Sequence, residues 1–312
     1  MSEEKRKLII DTDCGSDDAV AIAMAINDDR YEVLMISTVS GNVRVDQATA
    51  NTLTTLKMVQ NYHPPVYRGE NDMLKRKWEG SDTTHGHDGM GDLGLIDYRL
   101  ECQGDHAVSK ILETLRKYDD GQIDIITLGP LTNIARACER DCETMKKVRR
   151  IVMMATPGTA EGNITDHAEF NVWQDGEAFD AVLKAGLKQL VLVGWSACLD
   201  EAMLNERQID IIRESGRLGA FLIDCNSSLM ALNIIRFHEK CLDMADPAAV
   251  AAALYPECIA KSEDCYVEID LNEGEHYGEV SFDHDRKPNV RLVTRLHADM
   301  FKEYLISKVK EH

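Results

Sequence analysis

The chain has 312 residues, enough for one large core, and carries 54 acidic against 35 basic residues for a formal net charge of −19. Such a surface repels polyanions, which argues against nucleic acid and anionic membranes as partners, while part of the charge is available to neutralise a cation. Nine scattered cysteines without a CxxC pair, behind an N-terminus MSEEKRK that has no apolar leader, point to reduced thiols in the cytoplasm, and no run is long enough for a signal peptide or a membrane span.

Short apolar runs alternate with amphipathic stretches. A strand is predicted at 8–10 (LII), then a helix from about Asp18 to Asn27, a strand at 32–41 and a helix over about 46–61. Residues 107–117 place Ala107, Val108, Ile111, Leu112 and Leu115 at helical spacing, and Asp119-Asp120-Gly121 ends that helix. Strands follow at 123–129, 149–155 and 188–194, with a helix from about Thr132. Alternation of this kind implies an α/β fold: a Rossmann-like, mostly parallel central sheet with helices on both faces. No Pro/Gly/Ser-rich linker, low-complexity tract or repeat divides the chain, so 1–312 is read as a single domain.

In such sheets ligands bind beyond the carboxyl ends of the strands. Polar residues gather at those ends: Asp11-Thr12-Asp13, Ser40-Gly41-Asn42, Gly129-Pro130-Leu131-Thr132-Asn133, and the loop from Thr156 through Asn163 to Glu169 and Asn171. The densest group is DTDCGSDD (11–18), four carboxylates within eight positions between a strand and a helix. Their mutual repulsion is costly unless a cation neutralises it, and hard cations take six to eight oxygen ligands. An N-cap role accounts for Asp17 or Asp18 but not for four acids. An EF-hand loop starting at Asp11 needs an acidic twelfth residue and finds Ile22. Cys14-Gly15-Ser16-Asp17-Asp18 breaks the pattern of the haloacid-dehalogenase phosphatases, and neither a glycine-rich phosphate cradle nor a GxSxG elbow is present.

DTDCGSDDAVAI (11–22) closely resembles the DTDxGxDDAxAL signature of the inosine-uridine type nucleoside hydrolases. Further segments resemble that family in the same order: SGN (40–42), HGHDGMG (85–91), LGPLTNIA (128–135), EGNITDHAEFN (161–171), ADPAAVAAALYPE (245–257) and YGEVSFD (277–283). The resemblance spans nearly the whole chain. It implies Ca²⁺-dependent hydrolysis of the N-glycosidic bond of ribonucleosides, a small-molecule nucleoside as partner, and a homodimer or homotetramer. It also implies site residues. Asp13, Asp18, the Leu128 carbonyl and Asp246 would hold Ca²⁺. Asp13 would in addition position the attacking water and take its proton, with Asp11 supporting the turn. Asp17, Asn42, Asn163, Glu169 and Asn171 would grip the ribose hydroxyls, and His85 would lie near the sugar or base.

These residue types suit the chemistry. Breaking a C1′–N bond builds oxocarbenium character on the ribose, a cation acidifies and orients a water, and a carboxylate accepts its proton. Each residue also has a plainer reading. Asp246-Pro247 could be an N-cap with Pro at N1, Asn163 and Asn171 loop formers, His85 and His87 exposed, and Trp78 and Trp195 packing residues.

One departure from the family pattern stands out. The His that many members carry just before the last metal Asp, read as the acid on the leaving base, is Ala245 here. Either another group, such as His238 or a water chain, protonates the base, or the enzyme favours purines, whose N7 is easily protonated. A relative that keeps the Ca²⁺ and ribose site but turns over weakly or not at all is the alternative from another class. A Mg²⁺-dependent phosphohydrolase using Asp11 and Asp13 is a third reading.

Overall fold

The computed structural model describes residues 5–310. Its strands are β1 (Arg6–Thr12), β2 (Tyr31–Thr38), β3 (Val66–Arg68), β4 (Gly104–Asp105), β5 (Ile123–Thr127), β6 (Arg150–Met154), β7 (Leu190–Val193), β8 (Met203–Asn205), β9 (Cys241–Asp243), β10 (Ile259–Ile269), β11 (Val280–Asp283) and β12 (Val290–Leu296). Ten of them form one sheet in the order β11-β10-β12-β7-β6-β5-β1-β2-β3-β4, and β8 and β9 pair separately. From β12 to β4 all neighbours run parallel. Only β10 and β11 add an antiparallel edge. The Rossmann-like, mostly parallel α/β architecture expected from the alternation is the one observed.

The sheet is buried on both faces because side chains alternate along each strand. Leu8 and Ile10 of β1 join a core with the helices Ser16–Ile26 and Ala245–Leu254. Ile9, between them, belongs to a second core with Ile111, Leu115 and Ile134 on the other side. The central strand β1 lies between β5 and β2, and the strand order departs from it in opposite directions. This is the topological switch point where such folds open a crevice at the strand ends.

Two helices run through the first core. Every residue of Ser16–Ile26 and of Ala245–Leu254 is buried, and both are alanine-rich. Alanine favours the helix, and its short side chain lets neighbouring helices approach closely; a helix apolar on all sides belongs in a core. The first of these helices starts at Ser16, two residues before the expected Asp18. Strand ends also fall short of the expected runs: β2 stops at Thr38 rather than 41, and β5 at Thr127 rather than 129. Ser40–Asn42 and Leu128–Gly129 are thereby released into the crevice as loop. Among the described residues no single helix is long and apolar enough to cross a membrane. All nine cysteines are free of disulfides.

Candidate active site

The first turns of the two buried helices meet at the end of β1. Asp17, Asp18 and Asp246 each place a carboxylate oxygen within 4.8 Å of the others. The partial positive charge of two helix N-termini faces this group. Asp18 accepts hydrogen bonds from Thr12 Oγ1 (2.5 Å) and the Gly15 amide (2.8 Å), so it stabilises the turn as well as facing its neighbours. Asp246 is not an N-cap: the helix begins at Ala245, its cap is Met244, and no side-chain cap hydrogen bond forms. Pro247 correspondingly lies beyond N1.

Asp13 lies near enough for its charge to act on all three. Its Oδ2 accepts the Asn42 amide (2.6 Å), and its Oδ1 is buried with no hydrogen-bond partner among the described residues. The carboxylate is walled in by glycines. A Cβ on Gly41 would lie 2.1 Å from Asp13 Oδ2, and one on Gly129 2.7 Å from Oδ1. Burial raises Asp13 and Asp246 well above the usual carboxylate range, and neighbouring acids add to the effect. Asp18 is pushed up to about 7, first by burial and then by the charge of Asp17. Buried acids with an orphaned oxygen are costly as they stand. All their donor atoms are hard oxygens, so the residues fit a hard divalent cation. The Leu128 carbonyl, at the end of β5, lines the same crevice and accepts Asn171 Nδ2 (2.7 Å), which leaves it a second lone pair.

Above the acids opens a cavity of about 850 Å³, part of it open to solvent. It is lined by Asp17, Asn42, His85, Asn163, Glu169 and Asn171, besides Leu128 and Asp246. Glu169 caps the helix Phe170–Gln174, accepting the amides of Asn171 (2.8 Å) and Val172 (3.2 Å), and it also accepts the Thr156 amide (3.2 Å). Burial outweighs these bonds and raises it to about 7. Asn171 Nδ2 reaches the Leu128 and Met154 carbonyls, and Asn163 Oδ1 holds the Phe170 amide (2.8 Å). Both asparagines therefore also shape the loop, as their plainer reading has it. His85 is buried, with Nδ1 2.8 Å from Ser16 Oγ and 3.8 Å from Asp17 Oδ1. Burial lowers its pKa, so it is held neutral.

Other residues fall elsewhere. His87 is exposed and pairs with Asp92. Trp78 donates its indole N–H to the Gly41 carbonyl (2.8 Å), a supporting role, whereas Trp195 lines the cavity. His238 is an exposed C-cap of the helix Ser227–Phe237 and is not among the residues lining the cavity. Asp11 is also absent from the lining. Ser37 and Asn133 hold its Oδ1 within the core, which removes the nucleophile from the phosphohydrolase reading. The cavity wall adds Asp243 and Arg236, which sequence reasoning did not single out. The only signal for Asp243 was its place in LDMADP, three residues before Asp246.

Comparison with known proteins shows the family. The pattern of the family described as "Inosine-uridine preferring nucleoside hydrolase" matches residues 8–303. A pyrimidine-specific ribonucleoside hydrolase, RihB of Escherichia coli (strain SE11), is 33% identical over 280 residues, 88% of this chain and 86% of its own. Among solved structures, the plant nucleoside hydrolase PpNRh1 superposes with a TM-score of 0.91 at 26% identity, over 99% of this chain and 100% of its own. The purine-preferring ribonucleoside hydrolase from Gardnerella vaginalis does so with a TM-score of 0.89 at 25% identity, over 97% and 98%.

Proposed function

The chain belongs to the inosine-uridine preferring nucleoside hydrolase family and is a ribonucleoside hydrolase, and from that premise we propose a Ca²⁺-dependent enzyme that favours purine ribonucleosides. The observation that carries the cation is the buried acid group with its orphaned Asp13 Oδ1. Asp13, Asp18, Asp246 and the Leu128 carbonyl would hold the ion, and Asp17 stands close enough to share it. An ion bound there supplies positive charge that acidifies and orients a water.

The chain's own residues do the rest. Asp13 accepts the proton of the attacking water. Asp17, Asn42, Asn163, Glu169 and Asn171 grip the ribose hydroxyls, and the grip tightens as the ring flattens toward the oxocarbenium geometry. His85, kept neutral and tied to Ser16, orients the sugar side of the cavity. Trp195 and Phe170 offer apolar surface to the base. Purine preference rests on Ala245: with no histidine there, a purine is favoured because its basic N7 can be protonated by a group less specialised than that histidine.

The whole of 1–312 acts as one hydrolase domain. Nine unpaired thiols support a reducing compartment, the cytoplasm. Exposed Ile234, Ile235 and Phe237 offer apolar contact area for a homodimer or homotetramer.

The test is release of free ribose from inosine, guanosine, adenosine, uridine and cytidine, against a metal-stripped control. Ca²⁺-dependent release, faster from the purine ribosides, is expected. No release from any of them would sink the hydrolase reading in favour of the binding relative, and faster release from uridine and cytidine would overturn the base preference alone.

A further inference from the structure

The cavity has four carboxyl groups in its wall: Asp17, Glu169, Asp243 and Asp246. Asp17 and Asp246 belong to the acid group at the helix ends. Glu169 spends its two oxygens on three backbone amides. Asp243 is different. It closes β9, two residues before Ala245, and both line the cavity. It is 4% exposed, and the hydrogen bond that fixes it is from Asn233 Nδ2 to its Oδ1 (2.5 Å). Asn233 is itself fully buried, on the helix Ser227–Phe237. An oxygen that accepts an amide N–H keeps carbonyl character, so a proton on this carboxyl belongs on Oδ2.

We propose that Asp243 is the acid that protonates the departing base, in the place of the histidine this chain lacks at Ala245. The inference rests on the hydrolase reading above. Burial is the largest influence on Asp243 and raises its pKa, so the neutral, proton-carrying form survives to a higher pH than in a free carboxylic acid. The charged and titratable groups facing it are Asp17 and His85 across the cavity, Cys198 on the helix Ser196–Leu199 and Cys241 on its own strand. Asp17 favours the neutral form further, and His85 works the other way only when it is protonated. His85 is a poor rival for the task. Its pKa is lowered and its Nδ1 is engaged by Ser16, and a neutral imidazole gives up a proton far less readily than a carboxylic acid.

The step balances. The electron pair of the C1′–N bond leaves with the base. Asp243 Oδ2 gives its proton to a nitrogen of that base. The water oxygen bonds to C1′ and loses a proton to Asp13. Solvent then returns a proton to Asp243 and removes one from Asp13, so the sum is nucleoside plus water giving free base and ribose.

The test compares inosine with p-nitrophenyl β-D-ribofuranoside, whose leaving group departs without protonation. Wild-type protein with Ca²⁺ is expected to hydrolyse both. Asp243→Asn is expected to lose kcat on inosine by about 10²-fold or more, while losing only a small fraction of that on the p-nitrophenyl riboside. The inosine kcat/KM of the wild type should fall as rising pH takes the proton from Asp243, and that fall should vanish from the variant's residual activity. Retained turnover of the p-nitrophenyl riboside shows that the variant is folded. Undiminished inosine turnover in Asp243→Asn overturns the proposal. An equal loss on both substrates overturns it too, by assigning Asp243 to positioning or packing. If the wild type hydrolyses neither riboside, the hydrolase reading itself has failed.

Discussion

Asp13 shows how much one residue in this site depends on what its neighbours lack. Its carboxylate fits only because Gly41 and Gly129 have no Cβ, and one of its oxygens has no hydrogen-bond partner among the described residues. Replacing Asp13 with Ala should lower kcat by about 10²-fold or more and abolish cation retention, since the base and the ligand proposed above would be lost together. Metal analysis of the purified variant beside steady-state kinetics checks both, and full Ca²⁺ occupancy in Asp13→Ala would contradict its assignment as a ligand. Most of these residues were legible in the sequence, because acids and amides at strand ends have few other reasons to cluster. All the residues named there as ligands or ribose contacts line the cavity except Asp13 and Asp18, which are fully buried outside its lining. Asp243 and Arg236 were not legible. CLD reads as one more short core strand, and Arg236 as the outer face of a helix. Only the fold turns both toward the crevice.

At the scale of elements, the site is a product of helix packing. The alanines of Ser16–Ile26 and Ala245–Leu254 let the two axes approach until Asp17, Asp18 and Asp246 share one small volume. A larger side chain between them should push the first turns apart. Ala249→Leu, at a fully buried position, is expected to cost about 1–3 kcal/mol by overpacking and to weaken Ca²⁺ binding as well. Denaturant unfolding of the metal-free protein measures the first effect and a Ca²⁺ titration the second. A variant that loses stability but binds Ca²⁺ unchanged would separate the helix spacing from the cage. The long parallel strands and their helices were readable from periodicity. β3 and β4 are three and two residues long, too short to show any period. The antiparallel edge of β10 and β11 depends on partners far along the chain, which periodicity does not encode.

The molecule as a whole carries a net charge of −19, and its innermost acids set its response to pH. Asp11, Asp18 and Glu169 are each pushed up to about 7, first of all by burial. Their folded-state pKa values lie above the unfolded ones. The stability that goes with this is therefore complete below about pH 4 and is lost as pH rises through about 7. A shift of roughly three units corresponds to about 4 kcal/mol for one isolated group. Metal-free protein should thus melt at progressively lower temperature from pH 5 to pH 8, and Ca²⁺ should restore most of the loss at pH 8, because it binds the ionised acids. Calorimetry with and without chelator checks this, and a metal-free melting temperature that rises over that interval would refute it. The pairing of the two buried helices also bears on how the protein is made. The Asp246 amide approaches the Asp17 carboxylate across 229 positions of sequence. A ribosome has therefore laid down most of the polypeptide before the cage can close. Nascent chains that stop short of residues 245–254 hold only the first half of the proposed ion site, so on that proposal the enzyme gains its cation, and with it its activity, late in its own synthesis.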